Sequence, residues 1–151
     1  MGLFQPFDIC ATGMTAQRFR MDIIAENIAN VSTTRTENGG PYRRKIVTFK
    51  EKNYHAGIPN FKNVLKDKQM RYYGNGVKVS KVSEDTETDF IMEYDPSHPD
   101  ADENGYVRYP NVNTVTEMTN LIDASRSYEA NVTAFNAIKS MAGYGIQIGQ
   151  R

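Results

Sequence analysis

Each end of this chain carries an apolar stripe at helical spacing, and the two stripes limit what the rest of it can become. Positions 7, 10, 14, 17, 21, 24, 28 and 31 hold Phe, Cys, Met, Gln, Met, Ile, Ile and Val. The 3-4-3-4 register is broken only by Gln17, and it reads as a helix from about Phe4 to Asn30 with a coiled-coil-like seam. Met118, Leu121, Ser125, Tyr128, Val132, Phe135, Lys139 and Ala142 repeat the spacing at the other end, with Ser125 and Lys139 as imperfect members. Thr114 or Thr116 is expected to cap this second helix, Glu117 suits the positive end of its dipole, and Gly143 and Gly145 mark the expected stop.

Between the stripes the pattern changes. "YRRKIVTFK", "NGVKVSKV", "TDFIMEYDP" and "ENGYVRYP" combine strand formers with turn residues, whereas residues 51–73 show no clear period and read as a loop-rich insertion. The expected fold class is α+β, with long N- and C-terminal helices pairing as a coiled-coil-like core and a small β-rich middle. The expected division is residues 1–31 for the first helix, 32–113 for the loop and β region, and 114–151 for the second helix and tail. Helices of roughly 25 residues are ~38 Å rods. A small β region covers only part of such rods, so their seams are expected to find partners in a polymer. On that reasoning residues 1–30 and 115–151 gain their order only on assembly.

Charge narrows the function. The formal net charge is zero, but the zero conceals two blocks. From Tyr42 to Tyr73 nine Lys/Arg face two acids, a net of +7; from Glu84 to Glu103 there are nine acids and no Lys or Arg, a net of −9. Opposed blocks favour contacts between neighbouring copies, with Arg43, Arg44, Asp100 and Asp102 as candidates. One cysteine, Cys10, excludes an internal disulfide and a Cys-rich zinc site. It lies on the seam as a small hydrophobe, and His55 and His98 lack any motif that would make it a nucleophile. Asp100, Asp102, Asn104 and Gly105 match the start of a calcium loop, but Asn111 stands where the bidentate Glu belongs and Arg108 opposes a cation. No acid, base and nucleophile converge, so no enzyme, metal or cofactor is expected. No apolar run has the ~18–20 residues of a membrane span, and no secretory signal is visible at the N-terminus.

"NIANVSTTRT" ends the first stripe on Asn27 and Asn30, then on hydroxyl residues. Asn30 fits a left-handed helix end. Asn27, three residues earlier, does not, and "SYEANV" places another Ala-Asn on the second helix. These stretches resemble the axial proteins of the bacterial flagellum. "NIANVSTT" is similar to the Asn-x-x-Asn-x-x-Thr signature of rod, hook and hook-associated proteins, carried here by Asn27, Ala29, Asn30 and Thr33. "NLIDASRSYEANVTAFNAIKSM" resembles their shared C-terminal helix. "ATGMTAQRFRMDIIAENIANVSTTRTENGGPYRRK" and "DPSHPDADENGYVRYPNVN" narrow the resemblance to the C-type, proximal rod members, which read Thr-Thr-Arg-Thr where the wider family has a glycine.

The resemblance implies a structural rod subunit, part of a torque-transmitting shaft and of the wall of an export channel. It implies export by the flagellar type III apparatus without a cleaved signal, and a place in the periplasmic rod. The implied partners are copies of itself, other rod subunits and the membrane-ring adaptor. Assembly seams are then expected at Phe7, Cys10, Met14, Met21, Ile24 and Ile28, and at Met118, Leu121, Tyr128, Val132 and Phe135. Asn27 and Asn30 would set register and helix exit in the assembled rod. The alternative is a stand-alone coiled-coil adaptor or a nucleic-acid-binding module using the basic segment 42–73.

Overall fold

A computed structural model of the chain describes residues 4–37, 39–52 and 74–149, so the expected insertion at 51–73 lies almost wholly outside the described residues. The elements in chain order are α1 (Gln5–Ala29), β1 (Lys45–Glu51), β2 (Val77–Glu84), β3 (Ile91–Tyr94), β4 (Tyr106–Tyr109) and α2 (Thr114–Gly149). This is the α+β arrangement of two long terminal helices around short strands. Both helices are formed in the single chain, against the expectation that their order waits for assembly. The strands and loops between them supply much of the cover, as the buried polar cluster described below shows.

The chain gathers into two compact units. One draws on Met1–Arg18, Phe49–Ser80 and Ser125–Arg151, the other on Phe19–Thr48 and Lys81–Ala124. In the first unit, the Phe7 ring meets Phe135 edge-on at 5.1 Å, and a Cβ added to Gly13 would lie 2.7 Å from Asn131 Oδ1. Rising numbers on α1 meet falling numbers on α2, so the two segments run antiparallel there. Gly13, a weak helix former, is where the Asn131 side chain comes closest. Gly76, at φ +86°, turns the chain into β2 beneath Thr12, whose Oγ1 accepts the Val77 amide at 3.2 Å. An L side chain at Gly76 would be strained and would strike that hydroxyl.

β1 and β2 form one two-stranded sheet and β3 and β4 another. The Lys52 N–H donates to Gly76 O at 2.9 Å at one end of the first pair, and the Asp85 N–H donates to Arg44 O at 2.8 Å at the other, which makes it antiparallel. The second sheet belongs wholly to the second unit. Its antiparallel register sets Ile91 against Tyr109, Met92 against Arg108, Glu93 against Val107 and Tyr94 against Tyr106.

The helix ends depart from the reading above in three ways. Asn113 caps α2, not Thr114 or Thr116: its Oδ1 accepts the Thr116 amide at 3.1 Å. α2 also runs through Gly143 and Gly145 to Gly149. Glycine costs a helix about 1 kcal/mol without forbidding it, and two of them do not outweigh the helix formers around them. Finally, no described non-glycine residue has positive φ, so Asn30 is not left-handed. It ends α1 with its side chain: Nδ2 donates to Glu26 O at 2.9 Å, and Oδ1 accepts from the Thr33 hydroxyl at 3.1 Å. The Thr33 amide then bonds Asn30 O at 3.1 Å, closing the turn.

Candidate functional site

Helical periodicity puts Asn27 on the inward face of α1, in the second unit, where it is 1% exposed. A primary amide has two donors and two acceptor positions, and here all four are used. Nδ2 donates to Lys45 O at 2.9 Å and to Glu117 Oε2 at 3.1 Å. Oδ1 accepts from the Lys45 amide at 2.9 Å and from the Tyr42 hydroxyl at 2.9 Å. The side chain thus offers the first residue of β1 the donor and acceptor of a neighbouring strand. It fastens strand to helix where no strand could pair.

Glu117 is also 1% exposed, and its two oxygens are divided between partners. Oε2 faces Asn27, while Oε1 accepts from Arg44 Nε at 3.0 Å, Arg44 Nη2 at 2.7 Å and Asn120 Nδ2 at 3.3 Å. A buried carboxylate needs such compensation, and the first turn of α2 adds the helix dipole. Arg44 also lies 3.7 Å from Asp85. Buried Asn111 joins these segments: its Oδ1 accepts the Arg44 amide at 2.9 Å, and its Nδ2 donates to Asp85 O and Thr88 O at 3.0 and 3.1 Å.

The electrostatics follow from this packing. Burial, with Glu26, Glu117 and Glu84 nearby, pushes the Tyr42 phenol up from its usual 10.0 to about 12. Asp85 is held below the usual carboxylate range. The Thr88 amide does most, against a desolvation that pulls the other way, with help from the Thr88 hydroxyl, the Glu87 amide and the Arg44 cation. The cluster contains no nucleophile beside a base. What it can do is hold the end of α1, the start of β1 and the start of α2 in one geometry.

Of the expected seam, Cys10 and Ile24 are buried, while Phe7, Met14, Met21 and Ile28 are half-buried. On α2, Leu121, Tyr128, Val132 and Phe135 are half-buried and Met118 is exposed. The covered register begins one residue earlier, at Glu117, and continues through Leu121, Ala124, Tyr128, Asn131, Phe135 and Ile138. Exposed Ala29 lies outside the asparagine cluster. Arg44 is engaged within the chain, and Arg43 stacks 4.4 Å over Phe90 while donating to Asp85 O at 3.1 Å. Asp100 accepts from the Thr34 hydroxyl at 2.8 Å, with Arg35 at 4.0 Å. Asp102 Oδ1 accepts the Asn104 and Tyr106 amides at 2.9 and 3.0 Å, an Asx turn leading into Gly105 at φ +81°.

Sequence reasoning did not single out Tyr42 or Asp85, met Asn111 only as a residue that spoils a calcium loop, and read Glu117 only as a dipole partner. The available signal was Ser125 and Lys139, the imperfect seam members. Starting the stripe at Glu117 avoids both and turns a carboxylate inward.

Two family models match the chain. One, described as flagella basal body rod protein, matches residues 7–35 and so contains Asn27, Asn30 and Thr33. The other, flagellar basal body rod FlgEFG protein C-terminal, matches residues 103–148 and contains Asn111 and Glu117. The chain is 46% identical over 146 residues to the flagellar basal-body rod protein FlgC of Borreliella burgdorferi, covering 93% of each chain. It is 44% identical over 156 residues to that of Bacillus subtilis, covering 99% of this chain and all of the relative. The chain belongs to the FlgC family of flagellar basal-body rod proteins. It is a structural subunit of the basal-body rod, located in the flagellum and assembled with other rod proteins. The chain is also 37% identical over 150 residues to FlgC of Salmonella typhimurium, covering 99% of this chain and all of the relative. The adaptor or nucleic-acid reading of 42–73 finds no support in FlgC relatives. No described helix is long and apolar enough to cross a membrane.

Proposed function

We propose that the chain is a proximal subunit of the rod, polymerising through its terminal helices into the wall around the export channel and into the shaft that transmits torque. Its role is structural rather than enzymatic. The observation that carries this reading is a pair of apolar rows on α2 that stand exposed among the described residues. Val115, Met118 and Ile122 form one, and Met141, Tyr144 and Ile148 the other, each at i, i+3, i+7 and each exposed. Apolar rows on otherwise polar helices are the usual mark of helix partners. The half-buried seam residues Phe7, Met14, Met21, Ile28, Leu121, Tyr128, Val132 and Phe135 add to the contact, with Cys10 and Ile24 packed beneath. Asn27 and Asn30, with Thr33, hold the helix exit so that these rows face neighbours at a fixed angle.

The chain reaches the periplasmic rod through the flagellar type III apparatus, uncleaved, and meets copies of itself, other rod subunits and the membrane-ring adaptor there. Ile122→Asp and Tyr144→Asp test the reading. Each should leave the helix content and melting temperature of the purified chain unchanged, yet remove it from purified basal bodies and abolish swimming. Normal incorporation of both variants would overturn it.

A further inference from the structure

The hydrogen-bond phase of the β3–β4 pair leaves one edge of β3 open. The Asp95 N–H donates to Gly105 O at 3.0 Å, which extends the register by one hydrogen-bonded pair. Bonded and non-bonded pairs alternate along an antiparallel ladder. Glu93–Val107 and Ile91–Tyr109 are therefore bonded pairs, whereas Met92–Arg108 and Tyr94–Tyr106 are not. The N–H and C=O of Met92 and Tyr94 accordingly point away from β4. Tyr106 fixes the same phase from the other side. Its N–H donates to Asp102 Oδ1 at 3.0 Å and its C=O accepts the Asp102 N–H at 2.9 Å, both away from β3.

Each of the other three strands has a cap on its outward groups. Asn27 takes the Lys45 N–H and C=O on β1, Thr12 takes the Val77 N–H on β2, and Asp102 takes the Tyr106 groups on β4. No described residue takes those of Met92 or Tyr94. β3 reads Ile-Met-Glu-Tyr, without the lysine or proline that commonly protects an edge. Ile91 is 52% exposed, Met92 53% and Tyr94 64%. An open apolar edge of this kind is what an added strand pairs with.

We propose that β3 takes an extended segment of another rod protein as a further strand along its open edge. The Met92 and Tyr94 backbones supply two donors and two acceptors. Side chains alternate between faces, so the segment's own alternation is specified too. Met92 and Tyr94 share one face and call for apolar residues beside them. Glu93 shares the other with Val107, is exposed, and meets no hydrogen bond or ion pair among the described residues, so it calls for a lysine or arginine. Asp89 and Asp95 flank β3 with the same sign, and Arg108 lies one strand further off, across Met92. A second β3 does not suit this edge. Pairing Met92 with Tyr94 about a two-fold axis would set Glu93 against Glu93 and close a dimer that cannot propagate. The inference rests on the rod reading and adds to it a main-chain contact with a neighbour.

Two prolines one residue apart test it in the full chain. Met92→Pro removes only an outward N–H, which an edge strand tolerates, whereas Glu93→Pro removes a ladder N–H. Met92→Pro should leave the melting temperature of the purified chain unchanged, yet lower its amount in purified basal bodies about tenfold. Glu93→Pro should lower the melting temperature itself. A photo-crosslinking residue, p-benzoylphenylalanine, at position 92 then identifies the occupant. In purified basal bodies its adduct should map to a segment of another rod protein that alternates apolar and basic residues. Normal incorporation of Met92→Pro would overturn the inference. So would an adduct confined to copies of this chain, or no adduct. If Met92→Pro melts early, the adduct decides alone. Wild-type incorporation is scored separately. If it succeeds while Met92→Pro also incorporates normally, the edge contact is refuted and the rod reading stands.

Discussion

Asn27 spends its whole hydrogen-bonding capacity inside its own chain, and its replacement therefore has a calculable cost. Asn27→Ala leaves the Lys45 N–H and C=O, the Tyr42 hydroxyl and one Glu117 oxygen without their partner. At roughly 1–3 kcal/mol per buried group left unmade, with partial relief from water, the loss should be about 3–4 kcal/mol in urea unfolding. Asn27→Asp should cost more, because a carboxylate would face Glu117 and could not donate to Lys45 O. Tyr42 gives a pH dependence. Its pKa is raised in the folded state to about 12, so the folded chain keeps a proton that the unfolded chain releases first. The stabilisation is fully present below the ordinary tyrosine value and is lost as pH rises through the folded one. Between about pH 10 and 12, wild type should lose stability that Tyr42→Phe does not. For Asp85 the sign is opposite: its depressed pKa contributes stability at neutral pH that is lost as pH falls through the folded value. Urea midpoints across both ranges check the two signs.

At the scale of elements, α2 shows how weak a stop signal glycine is when nothing else ends the helix. A Cβ at Gly143 or Gly145 would meet nothing within 4 Å. Gly143→Ala/Gly145→Ala should therefore raise helix content in the tail, at up to about 1 kcal/mol per site, visible as stronger far-ultraviolet ellipticity at elevated temperature. Gly13 should behave oppositely. Asn131 occupies the space its Cβ would take, so Gly13→Ala trades a helix-propensity gain against displacement of that amide. We expect a net loss of about 1–2 kcal/mol, in the range of overpacking, and its rescue when Asn131 is shortened to Ala. The Asn-x-x-Asn-x-x-Thr stretch divides its labour along the same helix end. Asn27 fastens the helix to β1 and α2, and Asn30 with Thr33 turns the chain out of it.

For the whole molecule, the decisive difference is between helix that the chain covers and helix that it does not. Residues around Ile24–Asn27 and Glu117–Ala124 lie in the unit with the buried cluster, whereas the positions from Lys139 to Gly149 are exposed apart from Ala142. Native-state hydrogen exchange on the free chain should show strong protection in the first two stretches and little in the third, with protection reaching the tail in assembled rods. Uniform protection of α2 in a proven monomer would contradict this. The expected disorder of both ends before assembly is thus narrowed to fraying of the last turns of α2, where no described strand or loop reaches.

The two terminal helices, the β character of the middle and the Asn-Gly turn at Asn104-Gly105 were all legible in the sequence. Each depends on local periodicity or on what one residue type permits. The resemblance to axial proteins was legible for a related reason, since Asn27, Asn30, Thr33 and the second helix are short contiguous patterns. The partners of Asn27 were not legible, because Tyr42, Lys45 and Glu117 reach it only once α1, β1 and α2 have been brought together. The same folding decided that Arg44 serves Glu117 and Asp85 inside the chain. Charge is written in the sequence, but whether a charge meets water, its own chain or a neighbour depends on which surfaces the tertiary structure has already used.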